Sequence, residues 1–164
     1  MTAEFSVAVH ALVYLAHKAC MVPSNELADN ICTNPARVRK VMAKLQHAGL
    51  VESREGKNSG YTALPGSETI TLRQVLAAVE EDAVCVHWRS GDVDRSCQIC
   101  SGMGGVMDGV YAEMNEACNE TLQKTSIGDI LEKLFGENGT LKKAVNAWCL
   151  LFCTMCGNRP AFLG

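Results

Sequence analysis

The chain has 164 residues, 48% of them hydrophobic and 5% aromatic, enough apolar content to bury a core and to exclude a disordered polar chain. No run approaches the roughly 20 apolar residues that span a bilayer, and no export signal opens the chain, so a cytoplasmic protein is expected. The net charge of −3 divides unevenly: residues 1–66 carry seven Lys/Arg against five Asp/Glu, the remainder eight against thirteen, which makes the first part the better match to phosphate.

Residues 5–20 are apolar nearly all round, without Gly or Pro, and predict a buried helix. Pro23 breaks it. Ser24 is expected to cap a short helix to about Asn30, followed by a turn over Ile31–Thr33. Asn34-Pro35 then pairs an N-cap with proline at the first helical position. That helix turns Val38, Met42 (or Val41) and Leu45 inward, and Gly49 ends it. Two short helices joined by a tight turn make a helix-turn-helix. Leu50–Arg54 and Tyr61–Leu64 flank the polar Glu55–Gly60, which predicts a β-hairpin; placed directly behind a helix-turn-helix, it is a wing. Pro65-Gly66 closes the module.

Ile70-Thr71-Leu72 opens a helix to about Glu81, whereas residues 82–101 show no period. From Gly102 to about Lys124, Met103, Met107, Val110, Met114 and Ala117 step by four and three, a coiled-coil spacing suited to packing on a twin. Ser126, with Asp129 three residues on, caps a helix over Ile127–Phe135. Beyond Gly136 and Gly139, Thr140–Cys156 reads as a further helix. The fold class expected is mainly α with a small β-hairpin wing. Its parts are a winged helix-turn-helix at 1–66, a cysteine-bearing linker with dimerisation helices at 67–135, and a cysteine-rich extension at 136–164.

A recognition helix reaches base edges with its first turns while basic side chains hold phosphates. Arg37, Arg39 and Lys40 lie in those turns, and Lys44 follows one turn later. Either arginine can read guanine through a bidentate contact worth about 1–3 kcal/mol. Thr33 and Asn34 are placed to donate to phosphate at the helix start, and Arg54, Lys57 and Asn58 ride on the wing. An isolated charge run usually just solvates a helix face. Here the helix-turn-helix, the hairpin and the charge division converge on double-stranded DNA.

Residues 5–134 as a whole resemble the Rrf-two family of bacterial regulators, the IscR, NsrR and CymR type. The resemblance is carried by Ala8-Val9-His10-Ala11-Leu12, by Leu45-x3-Gly49-Leu50-Val51, and by the wing ending Gly60-Tyr61. It continues in Ile70-Thr71-Leu72-x2-Val75-Leu76 and Thr125-Ser126-Ile127-x2-Ile130-Leu131. It implies a homodimer whose long helices cross and whose wings straddle an operator. The wing departs from the pattern, reading Gly56-Lys57-Asn58-Ser59-Gly60 where several consecutive glycines are usual. The tail beyond Phe135 has no counterpart in the pattern.

Nine cysteines, an odd number without an export signal, point to metal binding or thiol chemistry in a reducing compartment. Cys85, Cys97 and Cys100 fall just before the long helix, where family members that bind an iron–sulfur cluster carry three cysteines. The resemblance implies a fourth ligand from elsewhere, sometimes from the N-terminal helix of the partner subunit. His10 matches one such position, and Ser6 stands where some members have an acidic ligand. A cluster needs soft thiolates held close together, yet the gaps here are eleven residues and then two, unlike the short, similar intervals of the cluster-binding pattern. Cys97-x2-Cys100 can chelate or act as a redox pair by itself, with Arg95 placed to lower a thiolate pKa. A cluster, metal-free thiol sensing and no sensory role therefore all stay open. His10, on an apolar helix, is more simply a satisfied core histidine. Cys20 and Cys32 read as buried filler, and Cys118, far along the long helix, is a poorer ligand. Cys149, Cys153 and Cys156 share one helical face with Trp148 and Phe152 nearby, which favours packing.

The function expected is a DNA-binding transcriptional regulator, a repressor, responding to redox or iron–sulfur state through Cys85, Cys97 and Cys100. The alternative is a winged-helix protein-interaction module without a sensory cofactor. A thiol oxidoreductase would rest on Cys97-x2-Cys100 alone, without the βαβ context that motif needs, so no enzyme is expected.

Overall fold

Helix α1 is apolar on almost every face because it is the hub of the fold. In the computed structural model, which describes residues 3–56, 59–79, 82–84 and 88–136, it spans Ala3–Lys18 and buries Phe5, Val7, Ala8, Ala11, Leu12, Val13 and Leu15. Around it stand α2 (Ser24–Ile31), α3 (Pro35–His47), the strands β1 (Val51–Arg54) and β2 (Gly60–Ala63), a 3-10 turn at Ser67–Thr69, α4 (Leu72–Val79), α5 (Gln98–Gln123) and α6 (Ile127–Phe135). Helix α1 packs on α2, α3, α4, α6 and β2. Leu12, Leu15, Leu27, Met42, Leu45, Leu76 and Ile127 are fully buried at these contacts, and a side chain of this size contributes about 1.5–3 kcal/mol when removed from water.

The helix-turn-helix is set by local chemistry. Ser24 does not cap α2 as expected. The Pro23 carbonyl already accepts the first helical bond from Leu27 N–H at 3.1 Å, so the cap lies one residue earlier and Ser24 is the first helical residue. The turn after α2 is made by Cys32 in the left-handed region (φ 56°), with its N–H bonded to carbonyls of the last helical turn. Asn34 caps α3 as its sequence predicts: its side-chain oxygen accepts from Ala36 N–H at 2.7 Å, with Pro35 next in line. Val38, Val41, Met42 and Leu45 all face inward, and Gly49 leaves the helix at φ 69°.

The wing is a two-stranded antiparallel hairpin with Val51 opposite Ala63 and Arg54 opposite Gly60. It is pinned to the α1–α2 connection by a reciprocal pair of bonds between Val22 and Tyr61, 2.8 and 2.9 Å long. Gly60 makes this close approach possible, since a Cβ there would stand 2.6 Å from the Val22 carbonyl oxygen. Gly60→Ala must push two backbones apart and is expected to destabilise the protein by about 1–3 kcal/mol, read as a lower urea midpoint; an unchanged midpoint would mean that the wing is not docked this way.

One expectation about the second half changes. Helix α4 is described through Val79, and its expected end near Glu81 lies outside the described residues. Helix α5 begins at Gln98, four residues before Gly102, so Cys97 is its N-cap and Cys100 lies in its first turn. The helix tolerates its glycines: Gly104 is buried beneath Arg89 and Ser90, where a Cβ would meet Arg89 Nε at 2.9 Å. At 26 residues, α5 is about 39 Å long. It packs on α4, while Met103, Val106, Val110 and Met114 remain exposed along it. Asn115 reaches back from α5 to Val84, accepting from its N–H at 2.8 Å and donating to its carbonyl at 3.2 Å. The capping box of α6 forms as predicted between Ser126 and Asp129. Lys57, Asn58, Cys85, the expected Thr140–Cys156 helix and its cysteines lie outside the described residues.

Candidate nucleic-acid interface

With residues 38, 41, 42 and 45 turned to the core, helical spacing leaves Ala36, Arg37, Arg39, Lys40 and Ala43 exposed on the other face of α3. Among the described residues, neither Arg37 nor Arg39 forms an ion pair. Both guanidinium groups project from the first two turns, where a recognition helix meets base edges. Arg54 is exposed at the wing end of β1. Thr33 is half-buried, and its N–H is already given to the Ala28 carbonyl at 2.9 Å. Asn34 uses its side-chain oxygen as the cap, which leaves its amide NH2 to donate.

The two lysines have partners. Lys40 Nζ lies 2.5 Å from Glu4 Oε1, and Lys44 Nζ lies 2.9 Å from Glu4 Oε2. Lys44 also donates to the Val79 carbonyl at 2.9 Å. The bonds from Lys40 and then Lys44 hold the Glu4 carboxyl below its usual pKa, against a smaller opposing effect of burial. Sequence reasoning misses Glu4 altogether. An acidic residue in a helix's first turn is ordinary, and nothing local announces that it touches a helix 36 positions away.

The cysteines occupy the other end of the molecule's logic. Cys97 is exposed at the α5 N-cap. Its thiol is pushed below the usual value by the backbone N–H of Cys100 and then of Ile99. Arg95, expected to be the cause, instead pairs with Asp92 at 3.6 Å. Cys100 is half-buried, and its carbonyl accepts from Asp92 N–H at 3.1 Å. Gly91 packs against that carbonyl with φ +86°, and a Cβ there would sit only 2.1 Å from the oxygen. An ion pair between Arg89 and Asp108, at 2.6 Å, extends this strap along α5.

His10 is not a core histidine: it is exposed, and its Nε2 lies 3.0 Å from Asn30 Oδ1. It points to α2 because α1 buries its neighbours at 8, 11 and 12 and leaves position 10 outside. Ser6 is exposed on the same helix. Cys32 is exposed rather than buried filler, while Cys20 and Cys118 are half-buried against the core. Among the described residues, no three metal-ligating side chains converge. Cys97 and Cys100 supply two thiols of the expected three.

A helix-turn-helix with an outward cationic second helix and a hairpin behind it defines a winged-helix DNA-binding protein. The profile of the Rrf2 family, described as iron-dependent transcriptional regulators, matches residues 1–133, and the chain belongs to that family. It is similar to the HTH-type transcriptional regulator YwnA of Bacillus subtilis (strain 168), 25% identical over 137 residues, 82% of this chain and 99% of that protein. Among solved structures, a transcriptional regulator from Lactobacillus plantarum has a TM-score of 0.71 at 22% identity, covering 90% of this chain and 99% of that one. T. potens IscR has 0.60 at 18%, covering 82% and 87%. CymR (YrzC), the global cysteine regulator of B. subtilis, has 0.59 at 15%, covering 81% and 96%. These likenesses show the fold, mainly α with a hairpin wing. The family and its relatives are transcriptional regulators, not enzymes. Among the described residues, no helix is long and apolar enough to cross a membrane.

Proposed function

We propose that this chain is a homodimeric, cytoplasmic repressor whose grip on a double-stranded operator responds to redox or iron–sulfur state through Cys85, Cys97 and Cys100. The observation that carries the reading is the exposed face of α3, where Arg37 and Arg39 stand without ion-pair partners. In this reading Arg37 and Arg39 meet base edges, Lys40 and Thr33 meet backbone, and Asn34 donates its amide to a phosphate. Arg54, Lys57 and Asn58 on the wing follow the adjacent backbone or minor groove. Lys44, held by Glu4 and Val79, braces α3 from behind. Residues 1–66 carry recognition, 67–135 carry sensing and pairing, and 136–164 form an extension.

The exposed apolar stripe of α5 supports self-association, because so contiguous a line of aliphatic side chains is normally covered. A cluster bound by Cys85, Cys97 and Cys100, with His10 offered for a fourth place, would supply one-electron chemistry. His10 would have to release Asn30 to serve. The residues themselves do the coupling. Cys97 and Cys100 form the first turn of the helix that pairs the subunits, so a change in their ligation acts on the spacing of the two recognition helices. A coupling of about 1–3 kcal/mol suffices for a switch.

Anaerobically purified full-length protein tests both halves of the reading, by iron and sulfide analysis and by a salt titration on duplexes selected from a random pool. Several phosphate contacts predict a loss of about 10³–10⁵ in affinity between 50 and 200 mM salt. A flat response would favour a protein-interaction module instead. Colourless, iron-free protein whose operator binding is unaltered by Cys97→Ser would remove the sensory role.

A further inference from the structure

The recognition surface carries its own competitor for phosphate. Glu4, in the first turn of α1, lies against α3 with one carboxylate oxygen on Lys40 and the other on Lys44. The two lysines are not equivalent. The Lys44 side chain is 29% exposed and is also tied to the Val79 carbonyl at the end of α4. The Lys40 side chain is 65% exposed and sits one turn nearer the start of the helix, beside Arg37 and Arg39. The shared carboxylate is thus anchored on one side and faces solvent on the other.

We propose that Glu4 sets the DNA affinity of this protein by holding the Lys40 ammonium in the free state and yielding it to a backbone phosphate on binding, with Lys44 remaining as its counter-ion. The proposal rests on the reading of α3 as the recognition helix. Its physical basis is the asymmetry of the pair. Removing one partner of a half-buried ion pair normally strands a charge, but when Lys40 leaves, Glu4 keeps Lys44 at 2.9 Å. The Lys44–Val79 bond fixes Lys44, and Glu4 with it, relative to α4, so the carboxylate does not follow Lys40 outward. Lys40 therefore exchanges one anion for another, and its net gain on binding DNA is smaller than that of an unpaired cation. Arg37 and Arg39, lacking such partners, are left at full strength. Glu4 tempers sequence-independent attraction without touching the residues placed to read bases.

The test uses full-length protein and a fluorescent random-sequence duplex of about 30 base pairs, long enough for two half-sites one helical turn apart. Wild type, Glu4→Gln, Lys40→Met and the double variant are titrated over a range of salt. Glu4→Gln keeps the shape and a hydrogen-bond acceptor for Lys44, and is expected to bind about two- to five-fold tighter for each bound subunit, the range of an exposed pair. Its salt slope should match wild type, because the same phosphates are contacted. Lys40→Met should lower the slope by about 1.8 in either background, about 0.9 for each of the two copies in a bound dimer, and the Glu4→Gln gain should vanish with it. A gain that persists with Lys40→Met would reflect bulk charge alone and overturn the proposal. So would an unchanged slope in Lys40→Met, a measurement that does not depend on how well Glu4→Gln folds. Wild-type protein with no salt-dependent duplex binding would instead overturn the underlying reading of α3.

Discussion

Arg37→Glu with Arg39→Glu is expected to abolish operator binding while leaving the fold intact. Each arginine–guanine contact is worth about 1–3 kcal/mol, a dimer would present two copies of each, and glutamate adds repulsion to the loss. A thousandfold fall in affinity is therefore about the least the double variant should show. Stability should barely move. Both side chains are exposed on the face of α3 opposite Val38, Val41, Met42 and Leu45, and surface changes of this kind usually stay within about 0.5 kcal/mol. Duplex anisotropy alongside a thermal melt separates the two effects. Wild-type affinity in a folded double variant would remove α3 as the reading element.

The second large effect is expected from Val110→Glu with Met114→Glu. These side chains are 43% and 46% exposed on the single chain, so carboxylates there cost the isolated subunit little. In a two-fold pair each change occurs twice at the same seam, and burying unpaired carboxylates costs several kcal/mol apiece. Light scattering should report a monomer at micromolar concentration where wild type reports a dimer. Operator affinity should fall by about 10²–10⁴, because the second half-site is no longer held near the first. A dimer that survives both glutamates pairs through another surface.

Much of the architecture is legible in the chain because it is written in local chemistry. Asn34-Pro35 and the Ser126–Asp129 box announce helix starts through bonds that reach only two or three residues. The inward stripe of α3 follows from its apolar spacing. The start of α5 was harder to see. Cys97 caps without a side-chain hydrogen bond, and residues 98–101 show no apolar period of their own, so the spacing reads as a helix only from Gly102. The left-handed turn at Cys32 carries no glycine to advertise it. In the site, the cationic face of α3 was readable. The carboxylate that engages it was not, since Glu4 meets Lys40 and Lys44 only after α1 and α3 have packed. His10 shows the same limit: its helix is apolar, but which face is turned outward depends on α2 supplying Asn30.

The contact between Gly91 and the Cys100 carbonyl has an optical consequence. With no room for a side chain between them, the segment leading into α5 cannot slide along the helix; any tilt or rotation at the cysteine turn must carry the segment along bodily. Trp88 rides on that segment, three positions before Gly91, and is 76% exposed. The molecule thus holds an indole at the joint between the cysteine turn and the segment leading into it, and its emission, read against that of Trp148, is expected to follow motion there without any dye.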